Sequence, residues 1–168
     1  MNTESSSFIV DLPDEEFTAR LGVVLAKALL KTKQDILDRG LVINLNGDLG
    51  AGKTYLMRSM LRALGFEGRV KSPTFSLLET YSVEQLAINH FDFYRFEDPT
   101  EFEEAGFREN YGPGKVVASE WTSKAQPYAP VADLLICLKD KDEGRSCELQ
   151  AKSEFGHQLL ELIKNEYA

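Results

Sequence analysis

Gly47-Asp48-Leu49-Gly50-Ala51-Gly52-Lys53-Thr54 satisfies G-x-x-x-x-G-K-[ST] at every fixed position. The context fits the pattern. Leu41 to Asn46 (LVINLN) reads as a short apolar strand entering the loop, and Met57, Met60, Leu61 and Leu64 mark an amphipathic helix leaving it, with Gly65 as its stop. Glycines allow such a loop to present successive backbone N–H groups to phosphate oxygens. The following helix aims its unsatisfied N–H groups at the same place. Lys53 supplies a cation for β- and γ-phosphate oxygens, and the Thr54 hydroxyl is suited to ligate Mg²⁺. A chance glycine-rich turn would have no reason to sit between this strand and this helix. The stretch predicts a P-loop nucleotide-binding fold with Mg·ATP as ligand.

The rest of the chain extends that unit in both directions. Ser7 to Asp11 reads as a strand, and Phe17, Leu21, Val24, Leu25 and Ala28 follow helical spacing. Asp14, Glu15 and Glu16 stand where a helix N-terminus favours negative charge. Phe75 to Tyr81 and Leu86 to Tyr94 are strand-like and too close in sequence for a parallel crossover, so they predict an antiparallel hairpin. Leu134 to Lys139 and Ser146 to Ala151 predict a second hairpin around Asp140 to Gly144. Between them, Val116 to Ser119 is a short apolar strand ending at Glu120, and a last helix begins near Ser153 with Phe155, Leu159, Leu162 and Ile163 on one face. The expectation is an α/β chain: a P-loop NTPase-like mixed β-sheet, with a parallel core and antiparallel hairpins, flanked by helices and forming a single domain over residues 1–168.

Composition narrows the classes of partner. The 168 residues are 43% hydrophobic and 27% charged, with a net charge of -8. An acidic chain is poorly suited to gripping a phosphate backbone by itself, so DNA is not an expected partner. No apolar run approaches the ~20 residues that span a bilayer, and Met1 to Ser7 lacks a signal peptide's pattern, so the expected location is cytoplasmic. Two cysteines and two histidines show no zinc spacing. Cys137 and Cys147 fall on the two arms of the second hairpin, where they are expected as reduced thiols facing each other.

A P-loop needs a carboxylate at the end of a neighbouring strand to hold Mg²⁺. Glu120, after Val116-Val117-Ala118-Ser119, has the Walker-B position, and Asp92 lies late in its strand within His90-Phe91-Asp92-Phe93-Tyr94-Arg95. Both are candidate catalytic acids beside Lys53. Trp121 follows Glu120 directly and is expected at the same sheet edge, near the nucleotide. Lys71 to Thr74 reads as a turn with the makings of a switch loop, and His90 as a structural residue alternating with Asp92. Arg95 and Arg108 are conceivable phosphate contacts that spacing does not single out.

Taken together, GDLGAGKT (Gly47 to Thr54), VKSPT (Val70 to Thr74), HFDFYR (His90 to Arg95), DPTEFEEAG (Asp98 to Gly106) and Glu120-Trp121 resemble the bacterial TsaE family, also called YjeE. The order and approximate spacing agree, and the likeness covers nearly the whole chain. The resemblance implies the weak ATPase subunit of the machinery that makes threonylcarbamoyladenosine in tRNA, working with the TsaD and TsaB proteins and meeting tRNA through that complex. It implies Thr54 and Glu120 as Mg²⁺ ligands and Asp92 as a second essential acid. It also places the stretch Asp14 to Thr18, with Glu15, near the nucleotide. Tyr55, adjoining the P-loop on the nucleotide side, stands where the family often has a second Thr, and Thr122 where it often has Pro.

Three other readings compete. A small-molecule kinase of the P-loop class would need an acceptor pocket and an arginine-bearing lid, and no long insertion is present to build one. A GTPase would need Asn-Lys-x-Asp, which is absent along with any Asp-x-x-Gly. An ATP-loaded non-catalytic adaptor stays open, because no arginine finger is assignable.

Overall fold

The computed structural model describes residues 6–47 and 52–168; the P-loop residues Asp48, Leu49, Gly50 and Ala51 lie outside them. Strand β1 (Ser7–Leu12) leads into α1 (Glu15–Lys31). Asp14 caps that helix by accepting a hydrogen bond from the Phe17 N–H at 3.2 Å, an interaction worth about 1 kcal/mol. Helix α1 buries Leu21, Val24, Leu25, Ala28 and Leu29 against helix α3 (Lys53–Leu64) and the sheet beneath. Gly22 permits that approach: a Cβ there would lie 2.5 Å from the Ser59 Cβ and 2.8 Å from the Met60 nitrogen. The close packing sets the N-terminal turn of α1 beside the N-terminal turn of α3.

Among the described residues, seven strands form one sheet in the order β1-β7-β6-β2-β5-β4-β3. Strand β2 (Leu41–Gly47) is central and runs parallel to β5 (Lys115–Glu120) and β6 (Leu134–Asp140), while β4 (Leu86–Asp92) is parallel to β5. β3 (Leu78–Val83) pairs antiparallel with β4, and β7 (Arg145–Ala151) pairs antiparallel with both β6 and β1. A parallel core edged by two hairpins is the expected arrangement, and it is the one observed.

Alternation along the strands divides the sheet into two faces. Ile43, Leu45, Val116, Ala118, Leu134, Ile136, Cys147 and Leu149 join residues of α1, α3 and the C-terminal helix α5 (Glu154–Tyr167) in the main core. On the other face Phe91 and Val117 join Phe93, Phe96 and Phe102 in a smaller aromatic core under the short helix α4 (Glu101–Glu104). His90, Asp92 and Glu120 alternate with Phe91 and Ser119 and so fall on the helix face, where the first residue of α3 waits.

Several elements depart from the sequence expectation for local reasons. β3 begins at Leu78 rather than Phe75, because the Leu77 N–H bonds the Pro73 carbonyl at 2.9 Å and Leu77 takes a positive φ of 70°. Phe75 is left 81% exposed. β4 stops at Asp92, whose carboxylate accepts the Tyr94 N–H at 2.9 Å and turns the chain off the sheet. The stretch from Lys31 to Gly40, which shows no sequence pattern, contains a helix, α2 (Lys33–Arg39), that buries only Ile36. One apolar anchor is too little for periodicity to reveal.

The cysteines also differ from expectation. Cys137 is paired with Glu148, and Cys147 with Leu138, so the two thiols point to opposite faces of the hairpin. Cys147 is buried in the main core and Cys137 is half-buried, both as free thiols. Burial, and then the neighbouring Cys137 and Glu148, push the Cys147 thiol up to about 12. Thiol titration of the native protein is expected to find one reactive group, Cys137, with the second appearing only on denaturation. Two rapidly reacting groups in the native protein would overturn that assignment.

Candidate nucleotide site

Ligands of parallel sheets gather beyond the carboxyl ends of the strands, and here β2, β5 and β4 bring Gly47, Glu120 and Asp92 to one edge. Asp92 and Glu120 are direct neighbours in the β4–β5 register. Gly52 precedes α3 with φ of 149°, and a Cβ on it would run into the Arg145 guanidinium. Lys53 and Thr54 follow as the first two residues of the helix, at the positive end of its dipole.

The side chains at this edge form a bonded set. Lys53, only 7% exposed, places Nζ 3.1 Å from the Gly47 carbonyl oxygen and 3.1 Å from Glu120 Oε1. The other Glu120 oxygen, Oε2, lies 2.6 Å from His90 Nε2. Asp92, also buried, accepts the Tyr94 N–H. Burial opposes ionisation of Glu120, but the hydrogen bond from His90, the charge of that ring and Lys53 outweigh it and hold the carboxyl below the ordinary Glu value. Asp92 moves the opposite way. Burial raises its carboxyl most, and the Glu120 charge adds to this, against the opposing Tyr94 N–H, Lys53 and His90. Two adjacent carboxyls pushed apart in this manner suit different roles, one a standing anion and the other readier to keep a proton.

The donor set fits a hard cation. Mg²⁺ prefers oxygen ligands and is commonly held through one or two carboxylates together with substrate phosphates. Glu120, Asp92 and the Thr54 hydroxyl are oxygen donors of that kind at one sheet edge. Among the described residues, no group of three or more His, Cys, Asp or Glu side chains converges to hold a metal by itself.

Two hollows adjoin the start of α3. One, of about 300 Å³, is lined by Asp14, Glu15 and Thr18 of the α1 start, Gly52 and Tyr55 of the α3 start, and Arg145. Glu15 and Tyr55 thus share a hollow with Gly52 at the start of α3. The other, of about 670 Å³, runs from Gly47 and Lys53 past Asn44 and Asn46 to Trp121 and Gln126. Trp121 adopts a left-handed conformation with φ of 56°, remains 39% exposed, and packs its indole edge-on against Tyr94 at 5.1 Å. It shares a hollow with Lys53, as its place after Glu120 suggested.

The arginines are distributed differently from the sequence reading. Arg95 lies over the Phe75 ring at 4.7 Å, and Arg108 pairs with Glu103 and the Tyr128 carbonyl. Arg145 is the arginine beside Gly52, its Nε bonded to Asp140 at 3.1 Å. Spacing gave no sign of it, because only the β6–β7 hairpin folds it back to the P-loop. Lys71 to Thr74 is bonded within itself and to the next strand: Ser72 and Thr74 hydroxyls lie 2.7 Å apart, and the Lys71 N–H donates to the Tyr81 hydroxyl. Among the described residues no helix is long and apolar enough to cross a membrane.

Comparison with known proteins shows the family and the fold. Residues 12–147 match the family profile described as "Threonylcarbamoyl adenosine biosynthesis protein TsaE". The chain is 39% identical to the tRNA threonylcarbamoyladenosine biosynthesis protein TsaE of Haemophilus influenzae over 92% of its own length and 96% of that protein's. It is 36% identical to the Nostoc protein of the same name, over 79% of this chain and 78% of the relative. Its fold is similar to the crystal structure of Bacillus subtilis YdiB, with a TM-score of 0.73 at 24% identity, covering 96% of this chain and 97% of the other.

Proposed function

The chain belongs to the TsaE family of tRNA threonylcarbamoyladenosine biosynthesis, and from that premise we propose that it is a Mg²⁺-dependent, weakly ATP-hydrolysing subunit acting with TsaD and TsaB. tRNA is met through the complex. The observation that carries the reading is the convergence of Lys53, Glu120 and Asp92 at the carboxyl edge of the sheet, beside the P-loop helix.

In this reading Lys53 leaves or shares its contact with Glu120 to meet the β- and γ-phosphates. Glu120 and Thr54 would hold Mg²⁺, which would supply charge neutralisation at the phosphates. Asp92 sits beside Glu120 with a raised affinity for protons, placed to orient or accept a proton from attacking water. Glu15, Tyr55 and Arg145 line the hollow that would receive the nucleoside side of ATP, and Trp121 borders the opposite one. The P-loop residues Gly47, Asp48, Leu49, Gly50, Ala51 and Gly52 would supply backbone N–H groups to the phosphates.

Turnover and binding test this together. The chain alone is expected to change its Trp121 emission on adding Mg·ATP and to hydrolyse it far below the ~1–100 s⁻¹ typical of kinases. Turnover should rise only with TsaB, TsaD and tRNA present. Fast hydrolysis by the isolated chain would count against this reading, and no hydrolysis in the full mixture would return the adaptor alternative.

A further inference from the structure

His90 is fully buried on β4, and its ring makes one hydrogen bond. That bond runs from Nε2–H to Glu120 Oε2 at 2.6 Å, since an ionised carboxylate only accepts. Nδ1 is buried with no partner among the described residues. An unsatisfied buried nitrogen costs free energy, and an apolar side chain would pack here without that cost. Of its neighbours in the sheet, Ile88 on β4 and Ala118 on β5 are apolar, whereas Glu79 on β3 and Asp92 farther along β4 are acids that make no hydrogen bond to the ring. Asp133, a buried acid serving the fold, offers a contrast. Its carboxylate is satisfied by Arg39, the Val42 N–H and the Ser153 hydroxyl. Among the described residues, Glu120 is the hydrogen-bond partner that an imidazole at position 90 serves.

The two Glu120 oxygens have different company. Oε2 is anchored by His90 from within the sheet, and Oε1 faces Lys53 at the first turn of α3. Without the ring, the carboxylate would be held by Lys53 alone, and Lys53 is the cation required elsewhere once phosphate arrives. We propose that His90 is the positioning residue for Glu120, fixing one carboxylate oxygen so that the other stays on the P-loop side for the metal while Lys53 engages phosphate. This rests on the Mg·ATP reading above. Partners that orient metal-binding carboxylates commonly change metal affinity when removed, with little need to touch the nucleotide itself.

The test separates metal from nucleotide. ATP affinity is measured by calorimetry in chelator, and Mg²⁺ is then titrated into the ATP-saturated protein, for the parent, His90→Leu, His90→Gln and His90→Asn. Leu should raise the Mg²⁺ midpoint about ten-fold or more while metal-free ATP affinity stays within roughly two-fold of the parent. Gln, whose amide nitrogen reaches about as far as Nε2, should restore the midpoint to within roughly three-fold, whereas the shorter Asn should not. If Leu does not fold, the Gln–Asn contrast at matched melting temperatures decides the matter. An unchanged midpoint in Leu, or equal midpoints in Gln and Asn, would overturn the positioning role. A parent that binds no Mg·ATP would overturn the functional reading itself.

Discussion

Glu120→Gln is expected to lower Mg²⁺-dependent ATP turnover by at least ~100-fold while leaving the phosphate-binding loop able to take up nucleotide. The carboxylate uses both oxygens as acceptors, one from Lys53 and one from His90. Gln presents one acceptor and one donor, so one of those donors faces an NH₂ group, and the metal loses an anionic ligand. Turnover at saturating Mg·ATP, beside calorimetric binding, reads the two effects separately. Unchanged turnover would move the metal-holding role to Asp92, the register neighbour of Glu120. The folded protein also holds the Glu120 carboxyl below its ordinary value, so its ionised form stabilises the fold above the unfolded-state pKa. That contribution is lost as pH falls through the lowered folded-state value. The stability difference between parent and Glu120→Gln in chemical denaturation should therefore shrink on acidification, and a difference independent of pH would contradict it.

Lys53→Ala is expected to weaken Mg·ATP binding by at least ~100-fold, roughly 3 kcal/mol. Two losses combine. The P-loop loses the cation at the β- and γ-phosphates, and Glu120 loses the ammonium 3.1 Å from Oε1. The carboxylate is then left buried near incoming phosphate with His90 and the acid Asp92 beside it, and breaking a buried charge pair by removing one partner commonly costs ~3–5 kcal/mol. Calorimetric titration with Mg·ATP checks this directly. A variant that binds as tightly as the parent would remove Lys53 from the phosphate site.

The elements carried by repeating pattern were legible in the amino-acid order. α1 shows its apolar stripe and its acidic start, and β2 its apolar run into a glycine-rich loop. Both hairpins follow from a chain-length argument, since a few residues cannot make a parallel crossover. The positions of Lys53 and Thr54 at a helix start and of Glu120 at a strand end are legible because each is tied to sequence-local geometry.

Other features depend on distances the chain closes only when folded. Arg145 reaches Gly52 because the last hairpin returns to the P-loop, and no spacing in the sequence encodes that return. α2 has one buried side chain, too few to show a period. Cys137 and Cys147 sit on facing arms, yet the register pairs each with a different residue, and a shift of one residue exchanges the faces of a strand. His90 read as a structural histidine because its role lies in one hydrogen bond to a residue thirty positions away. The amino-acid sequence by itself determined the glycine-rich motif between a strand and a helix, the strand-end places of the two acids and the mixed sheet, since each follows from short-range stereochemistry and periodic burial. Only the tertiary structure decided which oxygen of Glu120 meets which donor, because that depends on parallel β4–β5 register and on the seating of α3 against the sheet edge, and both are set by packing between distant segments.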